Sequence, residues 1–126
     1  MRQAIQTDKA PASIGPYSQA VKVNGVVYIS GQIGLNPETG ALAEGIENQT
    51  HQVMHNLQAI LTEADAFFSQ VVKFTIYLAS MDHFATVNDI YGSYLTEPYP
   101  ARAAFEVSQL PKGALIEIEA IVYTNA

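Results

Sequence analysis

The chain has two arginines, and one of them, Arg102, stands in a setting that can do chemistry. Pro100-Ala101 and Ala103-Ala104 flank it, so small neighbours leave its guanidinium accessible. A guanidinium grips a carboxylate through two parallel hydrogen bonds. Glu106, Glu117 and Glu119 follow within the same stretch. A free glutamate, with a pKa of about 4.3, is ionised at neutral pH and available to take a proton from water. Arg102 would hold a small anion, and Glu117 or Glu119 would serve as base. If the glutamate lay too close to Arg102, its pKa would fall and it would be a weaker base. The plainer alternative is a charged sheet face turned to water, which suits Glu106 and Glu119.

These residues need elements to position them. Tyr99 to Val122 reads as two strands joined by a short loop. In the second, Ile116, Ile118, Ala120 and Val122 point one way and Glu117, Glu119 and Ile121 the other. In the first, Ala103, Phe105 and Val107 share one side, and Arg102, Ala104 and Glu106 the other. The apolar side is expected to face the core. Arg102 and Glu117 share a face only in one register, because a one-residue slip reverses sidedness.

Upstream, Gln3 to Thr7 reads as a short strand and Ala10 to Gln19 as a loop broken by Pro11, Gly15 and Pro16. Tyr17 lies in that loop, as an anchor or as a site residue. Ala20 to Ser30 is a hairpin turning at Asn24-Gly25, the dipeptide of a type I′ turn. Ser30-Gly31 closes its second strand. Ser30 reads as an ordinary strand-end hydroxyl, and Gly31 admits a close backbone or ligand. Glu47 to Ala64 carries an apolar stripe at helical spacing. His51 and His55 are four apart on it, but no Glu follows His51 and no third ligand is evident, so a solvated face is expected and no metal. Gln70 to Ala79 is a strand rich in β-branched and aromatic residues. A second helix, capped by Ser80 or Asp82, runs to about Leu95. Asn88 falls on or beside its apolar stripe, which requires a partner for its amide.

A chain of 126 residues forms one domain, 1–126, with a substantial core. The order of elements gives an α+β two-layer plan, a mixed sheet with two helices on one face. The other face, with few charges and several small residues, is left for water or a second subunit. No apolar run is long enough to cross a membrane, nothing resembles a signal peptide, and a cytoplasmic location is expected. Cysteine is absent, so thiol catalysis and a cysteine zinc site are excluded. Six scattered basic residues and a net charge of −6 disfavour nucleic acid.

Four blocks carry a family resemblance. They are Ala-Pro-Ala-Ser-Ile-Gly-Pro-Tyr-Ser-Gln at 10–19, Ser-Gly-Gln-Ile at 30–33, Phe-Ala-Thr-Val-Asn at 84–88, and Pro-Ala-Arg at 100–102 followed by Leu-Pro and Ile-Glu-Ile-Glu. Over essentially its whole length the chain resembles the RidA (YjgF) family of reactive intermediate deaminases. The resemblance implies a chorismate-mutase-like fold and a homotrimer with sites in the clefts between protomers. It implies hydrolysis of enamines and imines such as 2-aminoacrylate, 2-iminopropanoate and 2-iminobutanoate to 2-keto acids and ammonia, with no cofactor. Arg102 would bind the substrate carboxylate, with the Gly31 backbone as a second contact, and Glu117 would position and deprotonate water. Tyr17, Ser30 and Asn88 would line or close the pocket. Ala104 stands where many relatives have Cys, so only backbone contacts remain there. Asp65 replaces the Gly that many relatives have after the first helix. Two further readings are a small-carboxylate sensor on the same pocket and, more weakly, a ribonuclease.

Overall fold

The computed structural model describes residues 1–124. Its strands are β1 (Gln3–Ile5), β2 (Ala20–Val23), β3 (Val26–Ile33), β4 (Val71–Leu78), β5 (Ala101–Glu106) and β6 (Ile116–Tyr123). Its helices are α1 (Gly45–Glu63) and α2 (Phe84–Ser93). The strands form a single sheet in the order β1-β2-β3-β6-β4-β5, with β4 and β5 parallel and the other pairs antiparallel. This is the expected two-layer α+β plan. The β2–β3 turn places Asn24 and Gly25 at positive φ, as a type I′ hairpin demands.

The core lies between the sheet and the helices. Ile116, Ile118, Ala120 and Val122 of β6 are all buried, as their alternation predicts, beside Phe74, Ile76 and Leu78 of β4. From above, α1 contributes Val53, Met54, Leu57, Ile60 and Leu61, and α2 contributes Val87 and Tyr91. Each large aliphatic buried this way contributes about 1.5–3 kcal/mol. Helix α1 starts two residues before the expected Glu47, at Gly45. It ends at Glu63, one residue before the expected Ala64, which is the C-cap. Asp65 takes φ of 56° just past the end, so an aspartate fills the left-handed position usually given to glycine. Ser80 accepts a hydrogen bond from the Asp82 N–H at 3.1 Å and caps the short 3₁₀ turn that leads into α2.

Three expectations need correction. First, β5 and β6 are not a pair, because β4 runs between them, so no register directly relates Arg102 to Glu117. Second, the sidedness of β5 is reversed. Arg102 and Ala104 stand beside Phe74 and Ile76 on the helix-facing side, and Ala103 and Phe105 stand beside Thr75 and Tyr77 on the open side. Edge strands obey the burial alternation weakly, and Phe84, Asn88 and Tyr91 of α2 receive the arginine on that side. Third, Ser30-Gly31 does not close β3. The strand continues to Ile33 through an irregularity in its pairing with β6 between Ile29 and Gln32.

Candidate active site

The open face of the sheet carries the acidic half. Glu117 and Glu119 both point there, beside Tyr77 and Thr75 of β4. Their surroundings separate them. The Tyr77 hydroxyl donates a short hydrogen bond to Glu119, and that contact, followed by burial, pushes the phenol up to about 12. Glu119 is therefore engaged. Glu117 instead lines a cavity of about 370 Å³ with Gly31, Tyr17, Gln32 and Ile14. Burial raises its carboxyl above the ordinary range, and the charge of Glu119 adds to the shift. The two candidate bases, equivalent in sequence, are thus distinguished by geometry.

Gly31 is what lets Glu117 sit there. A Cβ at position 31 would fall 2.8 Å from Glu117 Cδ, closer than real side chains approach. The cavity's outer wall is the loop 10–19, held by Gln19. Its buried amide accepts from the Thr7 N–H at 2.7 Å and donates to the Pro11 carbonyl at 2.8 Å and the Thr7 carbonyl at 3.1 Å. Ser30 serves the same loop, since its hydroxyl donates to the Ser18 carbonyl at 2.6 Å. Ser30 thus tethers the wall that carries Tyr17 and is not among the residues lining the cavity. The start of β6 is set by Gln49 of α1, whose side-chain oxygen accepts from the Leu115 N–H at 2.8 Å. Sequence reading missed Gln19 and Gln49. A glutamine beside a broken loop, or on the buried face of a helix, is the signal that could have found them, because a buried amide must have partners.

Arg102 belongs to a different place. Its guanidinium lies over the rings of Phe84 at 5.2 Å and Tyr91 at 5.4 Å, and donates a short hydrogen bond to the Asn88 side-chain oxygen. Phe84, Asn88 and Tyr91 come from successive turns of α2, so one helix face orients the fork. Asn88 is exposed, its amide answered by Arg102 and not by a loop. The fork is neither buried nor bound to Asn88 through more than one of its five N–H donors. It opens on a cleft of about 440 Å³ with Tyr99 and Pro100. Ala104 is half-buried and packs against the core.

Arg102 with Asn88 therefore lies on the helix side of the sheet, and Glu117 with Tyr17 and Gly31 on the open side. Within one chain these two halves do not meet. The family model for Endoribonuclease L-PSP matches residues 7–124. The chain belongs to this family, also called RidA/YjgF. Among its RidA/YjgF relatives is a mouse 2-iminobutanoate/2-iminopropanoate deaminase, 51% identical over 96% of this chain and 90% of the mouse protein. The RidA crystal structure from Psychrobacter sp. is 53% identical and superposes with a TM-score of 0.94 over 96% of this chain and 98% of that one. E. coli TdcF with bound serine is 35% identical, with a TM-score of 0.92 over 96% of this chain and 98% of that one.

Proposed function

We propose that this protein hydrolyses small 2-imino acids and their enamine tautomers (2-aminoacrylate, 2-iminopropanoate and 2-iminobutanoate) to 2-keto acids and ammonia. The whole of 1–126 acts as one RidA-like unit in the cytoplasm, and the working form is a homotrimer. The observation that carries this reading is the division of the site. A cationic fork with free donors lies on one side of the sheet, and a carboxylate with raised proton affinity lines a cavity on the other. A second copy that sets its Arg102 cleft against the first copy's Glu117 cavity completes a site with both groups.

The open sheet face supports such packing. Tyr28, Phe105 and Tyr123 are each about half exposed there, at 50%, 52% and 50%, with Ile121 partly covered. Exposed aromatics gathered on one sheet face are what a second subunit would cover.

In the completed site Arg102 binds the substrate carboxylate through the donors that Asn88 leaves free. The Gly31 backbone and Tyr17 flank the reacting carbon. Glu117 takes a proton from water as the oxygen bonds to C2 of the protonated imine, giving a carbinolamine. It returns that proton to the nitrogen. The C–N bond then breaks with loss of ammonia, and the C2 hydroxyl gives its proton to the Glu117 carboxylate, leaving the ketone; Glu117 then releases that proton to solvent. An imine is electrophilic already, so positioning and one proton shuttle suffice.

The test couples purified protein to threonine dehydratase acting on threonine, with semicarbazide present to trap free imine. Wild type should divert flux to 2-keto acid. Arg102→Ala should lose at least about 100-fold in kcat/KM, as expected for a removed charge-assisted pair. Equal performance by the variant, or failure of wild type to outrun the trap, ends the proposal.

A further inference from the structure

Away from these two cavities, a second cluster of polar side chains joins the helices. His51 and His55 stand one turn apart on the exposed face of α1. Both rings reach one atom, the hydroxyl of Tyr94 at the C-cap of α2. His51 Nδ1 lies 2.7 Å from it and His55 Nε2 lies 3.1 Å from it. The three rings form a compact triangle with centroids 5.7, 5.9 and 6.4 Å apart. A phenol has one proton, so it donates to one imidazole nitrogen and accepts N–H from the other. The chemistry proposed above uses none of these groups.

Their spacing has a second meaning. A first-row divalent ion bonds nitrogen and oxygen at about 2.0–2.2 Å, so donors at adjacent corners of an octahedral sphere lie roughly 2.8–3.1 Å apart. The observed separations of 2.7 and 3.1 Å bracket that edge. Two histidines at i, i+4 are the helical arrangement that lets imidazoles converge on one ion. Tyr94 is the third donor that the sequence could not reveal, because it comes from the other helix.

We propose that His51, His55 and the Tyr94 hydroxyl form a chelating site for a borderline divalent transition ion, such as Ni²⁺ or Zn²⁺, which clips α1 to α2. The donors are neutral imidazole and phenol. None of the three is a carboxylate, so they suit a borderline ion better than a hard cation. On binding, both hydrogen bonds to Tyr94 break and the freed nitrogen lone pairs turn to the ion. The ring that had donated to Tyr94 moves its proton to its other nitrogen, so no net proton is released. Tyr94 supplies the oxygen donor, and the imidazoles carry most of the affinity.

Calorimetric titration of the purified protein with NiCl₂ and ZnCl₂ tests this, with thermal melting alongside. One ion per chain should bind and raise the melting temperature. His51→Gln and His55→Gln should each weaken binding at least about tenfold, and Tyr94→Phe by a few-fold. His83→Gln, at the remaining histidine, should bind as wild type does. Paramagnetic broadening by Ni²⁺ of the His51, His55 and Tyr94 signals in the wild-type NMR spectrum gives a readout that needs no variant. Affinity kept in either His51→Gln or His55→Gln, full affinity in Tyr94→Phe, or an equal melting shift with Mg²⁺ would each overturn the site. None of these readouts depends on deaminase activity.

Discussion

Glu117 is costly to keep, and in the proposed reaction the same burial would make it a stronger base. Its folded-state pKa is raised, first by burial and then by Glu119, so the fold holds its proton more tightly than the unfolded chain does. Stability therefore falls as pH climbs from the ordinary carboxylate value through the raised one, and the full penalty is present only above the raised value. Glu117→Gln should then melt higher than wild type at neutral pH, with the difference vanishing near about pH 3. The same variant should lose about 10²–10⁴-fold in kcat, the usual worth of a positioned base. Higher stability with lower rate would mark a residue selected for chemistry. Glu119 acts through its neighbour. Removing its charge in Glu119→Gln should move the acid limb of the kcat/KM profile to lower pH, by part of the shift only, because burial is the larger cause. An unmoved limb would show that Glu119 does not tune the base.

At the scale of elements, the site depends on one irregularity in β3. The break in pairing between Ile29 and Gln32 brings Gly31 against Glu117 without a side chain between them. Gly31→Ala would force the Glu117 carboxylate to rotate away. A displacement of about 1 Å at a reacting group can cost 100-fold, so kcat should fall by roughly that factor. The melting temperature should stay near wild type, since the displaced side chain is half-exposed and flexible. A variant with wild-type kcat would remove Gly31 from the positioning of Glu117. Helix α2 has the matching role for the cation. Phe84, Asn88 and Tyr91 orient Arg102 from a single helix face, which is why the Phe-Ala-Thr-Val-Asn block and the Pro-Ala-Arg block act together although strand and helix are separate elements.

The whole molecule decides whether the two halves meet. Arg102 and Glu117 lie on opposite sides of one sheet, so a lone chain should be inactive at this chemistry. Mixing Arg102→Ala with Glu117→Gln chains after co-refolding tests the shared site. Some interfaces then pair an intact arginine from one chain with an intact glutamate from another. For random assortment in a cyclic oligomer, roughly a quarter of wild-type activity should return, although each variant alone is nearly inactive. No recovery would mean that each chain supplies both groups itself.

Much of this was legible in the sequence. The period-two alternation of β6 named its buried residues correctly, because that strand is interior and its inner face has no alternative to the core. The α1 stripe and the Asn24-Gly25 turn were equally readable, since each rests on contacts within a few residues; of the two cap candidates Ser80 is used, on the 3₁₀ turn before α2 and not on α2 itself. Arg102 and the pair Glu117/Glu119 stood out by residue type alone. What the alternation could not supply was strand order. The insertion of β4 between β5 and β6, and the reversed sidedness of the β5 edge, come from long-range pairing that leaves no local mark. The different surroundings of Glu117 and Glu119 come from Tyr77 on one strand and Gly31 on another, and the meeting of His51, His55 and Tyr94 needed two helices in contact. Local sequence determined which residues were candidates; the packing of distant segments decided which of them face each other.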